Sequence, residues 1–222
     1  LTLHLPWQWP LLLASLLALA AALMIFKLGV GPHLPATAKS GRPWAGLAAF
    51  KQPRFRAAAL GYFGHCWELY ALWALVPFLV ARELERLGAA NSAQPWLSFA
   101  VIALGLPGCV LAGKWSRQIG SARVACVALA TSGALCLVYP LLGSASPWLL
   151  LVLLGVWGVS VIADSAQFSA LASATAPPER LGAALAMMNA IGFGLTIPSI
   201  ALVTALWSSQ SLAVIWWLLP GP

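Results

Sequence analysis

Residues 147–172 read PWLLLVLLGVWGVSVIADSAQFSALA. No charge interrupts them before Asp164, and the run is longer than the roughly 20 residues a helix needs to cross about 30 Å of hydrocarbon. Comparable runs lie at 8–28, 57–81, 96–113, 122–142 and 181–207, so six spans are expected. The 222-residue chain is 61% hydrophobic and only 8% charged, with a mean hydropathy of +0.89. That composition lacks the polar surface of a water-soluble domain. Lipid offers no partners to backbone N–H and C=O groups, and the runs lack the alternation of barrel strands, so each span is read as a helix. The expected fold class is therefore an all-α membrane protein with six transmembrane helices. A last apolar stretch, Ser211 to Pro222, stops after a dozen residues and reads as a truncated seventh span. Pro77, Pro107 and Pro198 fall inside spans, where each should kink its helix.

Charge sets the orientation. Twelve basic residues face five acidic ones, a net charge of +7. Lys27, Lys39, Arg42, Lys51, Arg54, Arg56, Lys114, Arg117, Arg123 and Arg180 fall in connections on one side. The other side has Arg82 and Arg86, offset by Glu83 and Glu85. An excess of Lys and Arg marks the cytoplasmic side. The connection 29–56 opens with Gly29, Gly31, Pro32 and Pro35 and then interleaves Trp44, Leu47, Phe50 and Phe55 with basic residues. This suits a short amphipathic helix on the membrane surface, facing anionic lipid rather than nucleic acid. Cys66, Cys109, Cys126 and Cys136 show no metal or redox spacing and read as packing residues, so no metal and no cofactor are expected. No cleavable signal is evident, and a start without Met fits an internal fragment.

Three ionisable residues lie within spans: His65, Glu68 and Asp164. Each is costly there, by at least ~2.5 kcal/mol for an acid, and so should face a polar interior or a partner. His65 and Glu68, three apart, share a helix face. Histidine changes charge near physiological pH, the property a proton-coupled carrier needs, although the same pair could simply lock two helices. Ser160, Asp164 and Gln167 form a polar stripe, and Asp164 lies at a depth similar to that of His65, which makes a shared cavity the expectation. Asn189 and Thr196 could add hydrogen bonds to that cavity or glue helices. The pairs Gly61/Gly64, Gly105/Gly108, Gly155/Gly158 and Gly192/Gly194 read as sites of close helix approach. Trp7, Trp9, Trp96, Trp148 and Trp207 sit near span ends as interfacial anchors, while Trp67 and Trp73 lie within a span and could line the cavity or face lipid.

The turn after the third span reads Gly113-Lys-Trp-Ser-Arg117-Gln-Ile-Gly120-Ser-Ala-Arg123. It resembles the second-half copy of the major facilitator loop motif G-x-x-x-D-R-x-G-R-R, between the eighth and ninth helices. Gly113, Arg117 and Gly120 match, whereas Ser116 replaces the usual Asp and Ser121 the first closing Arg. The stretch Gly61 to Pro77 resembles the seventh helix of the nitrate/nitrite- or cyanate-transporter-like bacterial subfamily. Ala163 to Ser169, Ala176 to Glu179 and Pro220 to Pro222 are similar to the same subfamily. The resemblance implies that residues 1–28 are the sixth helix, 29–56 the basic cytoplasmic central loop, and 57–222 helices seven to eleven with the start of the twelfth. It also implies a missing N-terminal half, a bacterial inner-membrane location and alternating access about a midplane site.

The expected function is secondary active transport of a small solute, driven by protons. His65, Glu68, Asp164, Gln167 and Asn189 are the candidates for substrate or proton contact, and Gly113, Arg117, Gly120 and Arg123 for the cytoplasmic gate. The expected partners are the lipid bilayer, a small-molecule or ion substrate and the missing half, with no nucleic acid. An intramembrane enzyme would need a nucleophile and base or a metal cluster at depth, and the sequence has no H-E-x-x-H and no G-x-S-x-G. A non-transporting membrane scaffold would leave the buried charges without a purpose.

Overall fold

A computed structural model describes residue 6, residues 8–28 and residues 43–222 of the chain. Trp7, the Gly29 to Pro35 opening of the basic connection, Lys39 and Arg42 lie outside the described residues. Among the described residues there is no strand. Six helical stretches are long and apolar enough to cross a membrane: Gln8–Leu28, Pro53–Arg86, Gln94–Ile119, Ser121–Leu141, Pro147–Thr175 and Pro178–Leu218. They coincide with the six expected spans, although the second starts four residues earlier and runs five further, the third runs six further and the sixth eleven further.

The chain divides into two units, Leu1–Gly41 and Arg42–Pro222. The first holds one α-helix, α1 (Gln8–Leu28), uncharged until Lys27. The second is a bundle of seven α-helices: α2 (Pro53–Arg86), α3 (Gln94–Ala103), α4 (Gly105–Ile119), α5 (Ser121–Leu141), α6 (Pro147–Ala163), α7 (Ser165–Thr175) and α8 (Leu181–Gln210). Its axis is α2, whose buried residues Phe55, Ala58, Tyr62, His65, Leu69, Leu72, Val76, Leu79 and Glu83 recur every three or four positions. A single face repeating at 3.6 residues can meet several neighbours, and α2 packs on α3, α6, α7 and α8. Leu60, Leu106, Leu111, Leu141 and Ile197 stay exposed on the bundle's outer face. In water such a surface would aggregate, whereas in a bilayer lipid tails cover it.

Two spans are broken in mid-course. The third divides at Leu104, between α3 and α4. Pro107 has no N–H and its ring crowds the carbonyl four residues back, that of Ala103, which is where α3 ends. Pro77 and Pro198 lie inside α2 and α8, which continue through them. The fifth span divides at Asp164, between α6 and α7, without a proline.

Seven of the eight paired glycines sit at close approaches. A Cβ on Gly158 would overlap the Val101 carbonyl oxygen, one on Gly61 the Phe168 ring, and one on Gly108 would lie 2.8 Å from the Val159 oxygen. Gly194 alone faces open space. Gly158→Val is accordingly expected to lower stability by about 2 kcal/mol or more. Gly194→Ala should be neutral or stabilising by up to ~1 kcal/mol, since glycine is a poor helix former. Thermal unfolding in detergent, followed by tryptophan fluorescence, checks both, and equal melting shifts for the two would contradict this packing.

Two 3₁₀ segments pack onto the bundle, and the first differs from expectation. Pro43–Lys51 packs on α8 and α2: Ala49 and, just beyond it, Phe55 are fully buried. Phe50 and Phe55 meet edge to face with centroids 5.2 Å apart. Only Trp44 and Leu47 of the expected membrane-facing set are exposed, so this part of the connection is a bracket on the bundle. The other 3₁₀ segment, Ser211–Leu218, follows α8 at the position of the expected truncated seventh span. Ser211 takes φ +49°, which ends α8, and the segment turns back onto α2, α5 and α8 with Val214, Ile215 and Leu218 fully buried. Gly64 and Gly221 allow this, because a Cβ on Gly64 would overlap the Gly221 carbonyl oxygen. Trp67 Nε1 donates to the Trp217 carbonyl at 2.9 Å, so Trp67 ties down the tail.

Candidate functional site

The break at Asp164 gathers the unusual chemistry. The amides of Gln167 and Phe168 both bond the Asp164 carbonyl, at 2.9 and 3.0 Å, so the ladder tightens locally there. The Cys109 thiol donates to the Ile162 carbonyl at 3.5 Å. Interruptions of this kind inside a helix often mark hinges. The carboxylate of Asp164 reaches α2, where Oδ1 lies 2.8 Å from His65 Nδ1. Both side chains are almost fully buried, at 2 and 3% exposure. The approach misses the angular range of a hydrogen bond, so this is a close polar contact in which each atom lacks an aligned partner. The rings of Tyr62 and Phe168 flank the imidazole, with centroids 6.1 and 6.3 Å away. Apolar walls around a contact between an acid and a base strengthen its electrostatics and keep bulk water out.

Glu68 behaves differently from the expectation of a shared cavity with His65. Its side chain turns into the seam between α2, α5 and α6, where Oε1 accepts hydrogen bonds from Ser132 Oγ and from Trp157 Nε1, the latter at 2.9 Å. Trp157 Nε1 also lies 2.9 Å from Ser132 Oγ, and the Cys136 thiol is 3.7 Å from the carboxyl. Glu68 is 1% exposed, with its carboxyl held by two other helices. The signal for this cluster was present in the sequence: Ser132, Cys136 and Tyr139, at i, i+4 and i+7, make a polar stripe on α5. Buried polar groups are paired when their neighbours supply donors, and Glu68 finds its donors here rather than on His65.

Gln167 is buried near the break at 2% exposure. Thr196 is buried in α8, where its hydroxyl donates to the Phe193 carbonyl at 2.7 Å. Asn189 is exposed on α8. Trp73 is partly buried against Tyr70, with ring centroids 5.4 Å apart.

A second polar knot lies at the far end of α2. Glu83, completely buried, is gripped by Arg82 and by Arg86, the latter at 2.5 Å. The same guanidinium groups donate to the Gly143 and Ala145 carbonyls, at 2.8 and 2.6 Å, and so fasten the α5–α6 connection. Charge counting treats these residues as neutralised, and misses that they are a clamp.

The profile of the Major Facilitator Superfamily matches residues 1–218, nearly the whole chain. The chain belongs to the major facilitator superfamily. No curated protein and no solved structure gives a match. As a major facilitator it is a multi-pass membrane transporter in class, a fold and setting that agree with its six apolar helices.

In this major facilitator the candidate gate turn is compact. Gly120 alone joins α4 to α5, at φ +90°, a conformation that side-chain-bearing residues rarely adopt. Its amide bonds the Ser116 carbonyl at 2.8 Å and closes α4. Ser116 donates its hydroxyl to the Gly113 carbonyl at 3.1 Å. Arg117 and Arg123 are exposed, and a Cβ on Gly113 would meet nothing within 4 Å.

Proposed function

We propose that this major facilitator carries a small solute across the membrane by alternating access and that the His65–Asp164 contact exchanges the coupling proton. The observation that supports this most is a base and an acid meeting at the break of a membrane span, almost sealed from solvent. Ionisable groups at that depth are kept where they relay ions or protons. A broken helix beside them supplies the joint at which protonation becomes movement. Gln167 lies on the same short helix and is the candidate for substrate contact. Asn189, exposed on α8, would meet substrate only from the bundle's surface.

Glu68 is assigned a second role. Its bonds to Ser132 and Trp157 favour a fixed polar anchor that locks α2 to α5 and α6. The turn at Gly113, Arg117, Gly120 and Arg123 is the candidate cytoplasmic gate. The matching stretches Gly61 to Pro77 and Ala163 to Ser169 support the nitrate/nitrite- or cyanate-transporter-like subfamily, a bacterial inner membrane and a second-half bundle completed by an N-terminal half. On that reading 1–28 is the sixth helix, 29–56 the central loop and 57–222 the second bundle. The alternatives, an intramembrane enzyme or a scaffold, gain no support from a site that lacks a nucleophile beside its base.

The test is proton dependence of uptake. Cells or vesicles carrying the full-length protein are offered a panel of small anions and neutral solutes under an inward proton gradient. Uptake of at least one solute should fall when a protonophore collapses the gradient. A transported solute that enters at full rate without the gradient would remove the proton from the mechanism.

A further inference from the structure

The outer face of α4, α5 and α6 bears a groove that neither the His65–Asp164 contact nor the Glu68 cluster uses. One part is a cavity of about 430 Å³ walled by Leu111 and Trp115, Val124 and Val127, and Val156 and Val159. A neighbouring hollow of about 550 Å³ shares Val127, Thr131 and Val156 with it and continues along α5 to Val138. From Val124 to Val138 the helix rises roughly 21 Å. That exceeds one leaflet, ~15 Å or half of a ~30 Å hydrocarbon core.

The groove asks for hydrocarbon. Its two hydroxyls are already engaged: Thr131 donates to the Val127 carbonyl at 2.9 Å and Ser160 to the Trp157 carbonyl at 3.1 Å. What remains is aliphatic wall, with Trp115 at the end nearest the α4–α5 turn.

That end carries charge of one sign. Lys114, Arg117 and Arg123 are all exposed around the Gly120 turn. Residues 105–141, the whole of α4 and α5, contain no Asp or Glu. Among the described residues none of the three bases is in an ion pair. Lysine and arginine stems are long enough to bring their heads to the interface from either side of a helix.

We propose that this groove binds one acyl chain of an anionic phospholipid whose headgroup rests on Lys114, Arg117 and Arg123. A zwitterionic lipid fills the same groove but gains little from the turn. An anionic one gains roughly fivefold in affinity for each base it meets, since a basic residue near an anionic surface is worth ~1 kcal/mol. The inference does not depend on the His65–Asp164 proton exchange; it shares Arg117 and Arg123 with the candidate cytoplasmic gate, and its readout is lipid binding rather than uptake.

Trp115 is the reporter. The protein is reconstituted in phosphatidylcholine vesicles doped with either phosphatidylglycerol or phosphatidylcholine brominated on the acyl chain. The quenching lost in Trp115→Phe is the Trp115 signal. Half-quenching of that signal is expected at a mole fraction of brominated phosphatidylglycerol roughly fivefold or more below that of brominated phosphatidylcholine. The variant Lys114→Gln/Arg117→Gln/Arg123→Gln, altered only at exposed positions, should quench equally with both. Val127→Phe, which fills the groove, should weaken Trp115 quenching by either lipid. Equal quenching by the two lipids in the unaltered protein overturns the proposal, as does a phosphatidylglycerol preference that survives loss of the three bases.

Discussion

Asp164→Asn is expected to leave the protein folded and to reduce proton-driven uptake to the level of empty vesicles. Asparagine keeps the volume of the side chain and an oxygen facing His65 Nδ1, now 2.8 Å from Asp164 Oδ1. Burying a neutral amide there is less demanding than burying a carboxylate, so thermal unfolding should shift by no more than ~1 kcal/mol. The amide, however, cannot take up a proton, and His65 loses the acid with which it could exchange one. Glu68→Gln is expected to behave otherwise. The amide oxygen still accepts from Ser132 and Trp157, so the anchor survives and most uptake should remain. Uptake assays on both variants, with expression and melting measured alongside, separate the two assignments. Normal uptake in Asp164→Asn would remove the proton role of the pair. Equal loss in both variants would mean that Glu68 belongs to the same device.

The second large effect concerns stability at the opposite end of α2. Glu83→Ala is expected to destabilise the bundle by about 3 kcal/mol, the scale for removing one partner of a buried ion pair. The carboxylate has no exposed surface, whereas Arg82 and Arg86 retain 25 and 29% exposure, so the figure belongs at the lower end of that range. The loss propagates, because the two guanidinium groups also hold the Gly143 and Ala145 carbonyls. Freed of Glu83, they are drawn toward water and the α5–α6 connection loosens. Arg86→Gln should cost less, since Arg82 still satisfies the acid. Melting in detergent measures both, and hydrogen exchange should report faster amide exchange around residues 143–146 in Glu83→Ala. An unchanged melting temperature in Glu83→Ala would show that the clamp contributes nothing.

The spans and, in part, one of the breaks were legible because their causes are local. Twenty apolar residues in a row speak for themselves in hydrocarbon, and Pro107 marks the third span, although the same signal at Pro77 and Pro198 leaves α2 and α8 unbroken. The break at Asp164 was not legible, since Ala163, Asp164 and Ser165 contain neither proline nor glycine. The pairing of His65 was only half legible. Spacing of three places His65 and Glu68 on one face, but positions three apart on a helix still diverge by about 60°. That divergence sends one side chain to α7 and the other into the α5–α6 seam. Matching depth, by contrast, correctly brought Asp164 and His65 to the same level. The segment after α8 illustrates a different limit: nothing about Ser211 announces the positive φ that turns residues 211–218 back onto the bundle.

The discontinuity at Asp164 also says where this molecule has freedom to bend. Each broken span is tied at one end, the third by the lone Gly120 link to α5 and the fifth by the Arg82 and Arg86 grip on residues 143 and 145. Compliance is left to the interior, at residues 104 and 164. Half-helices swinging about mid-depth joints would reshape the centre of the bundle.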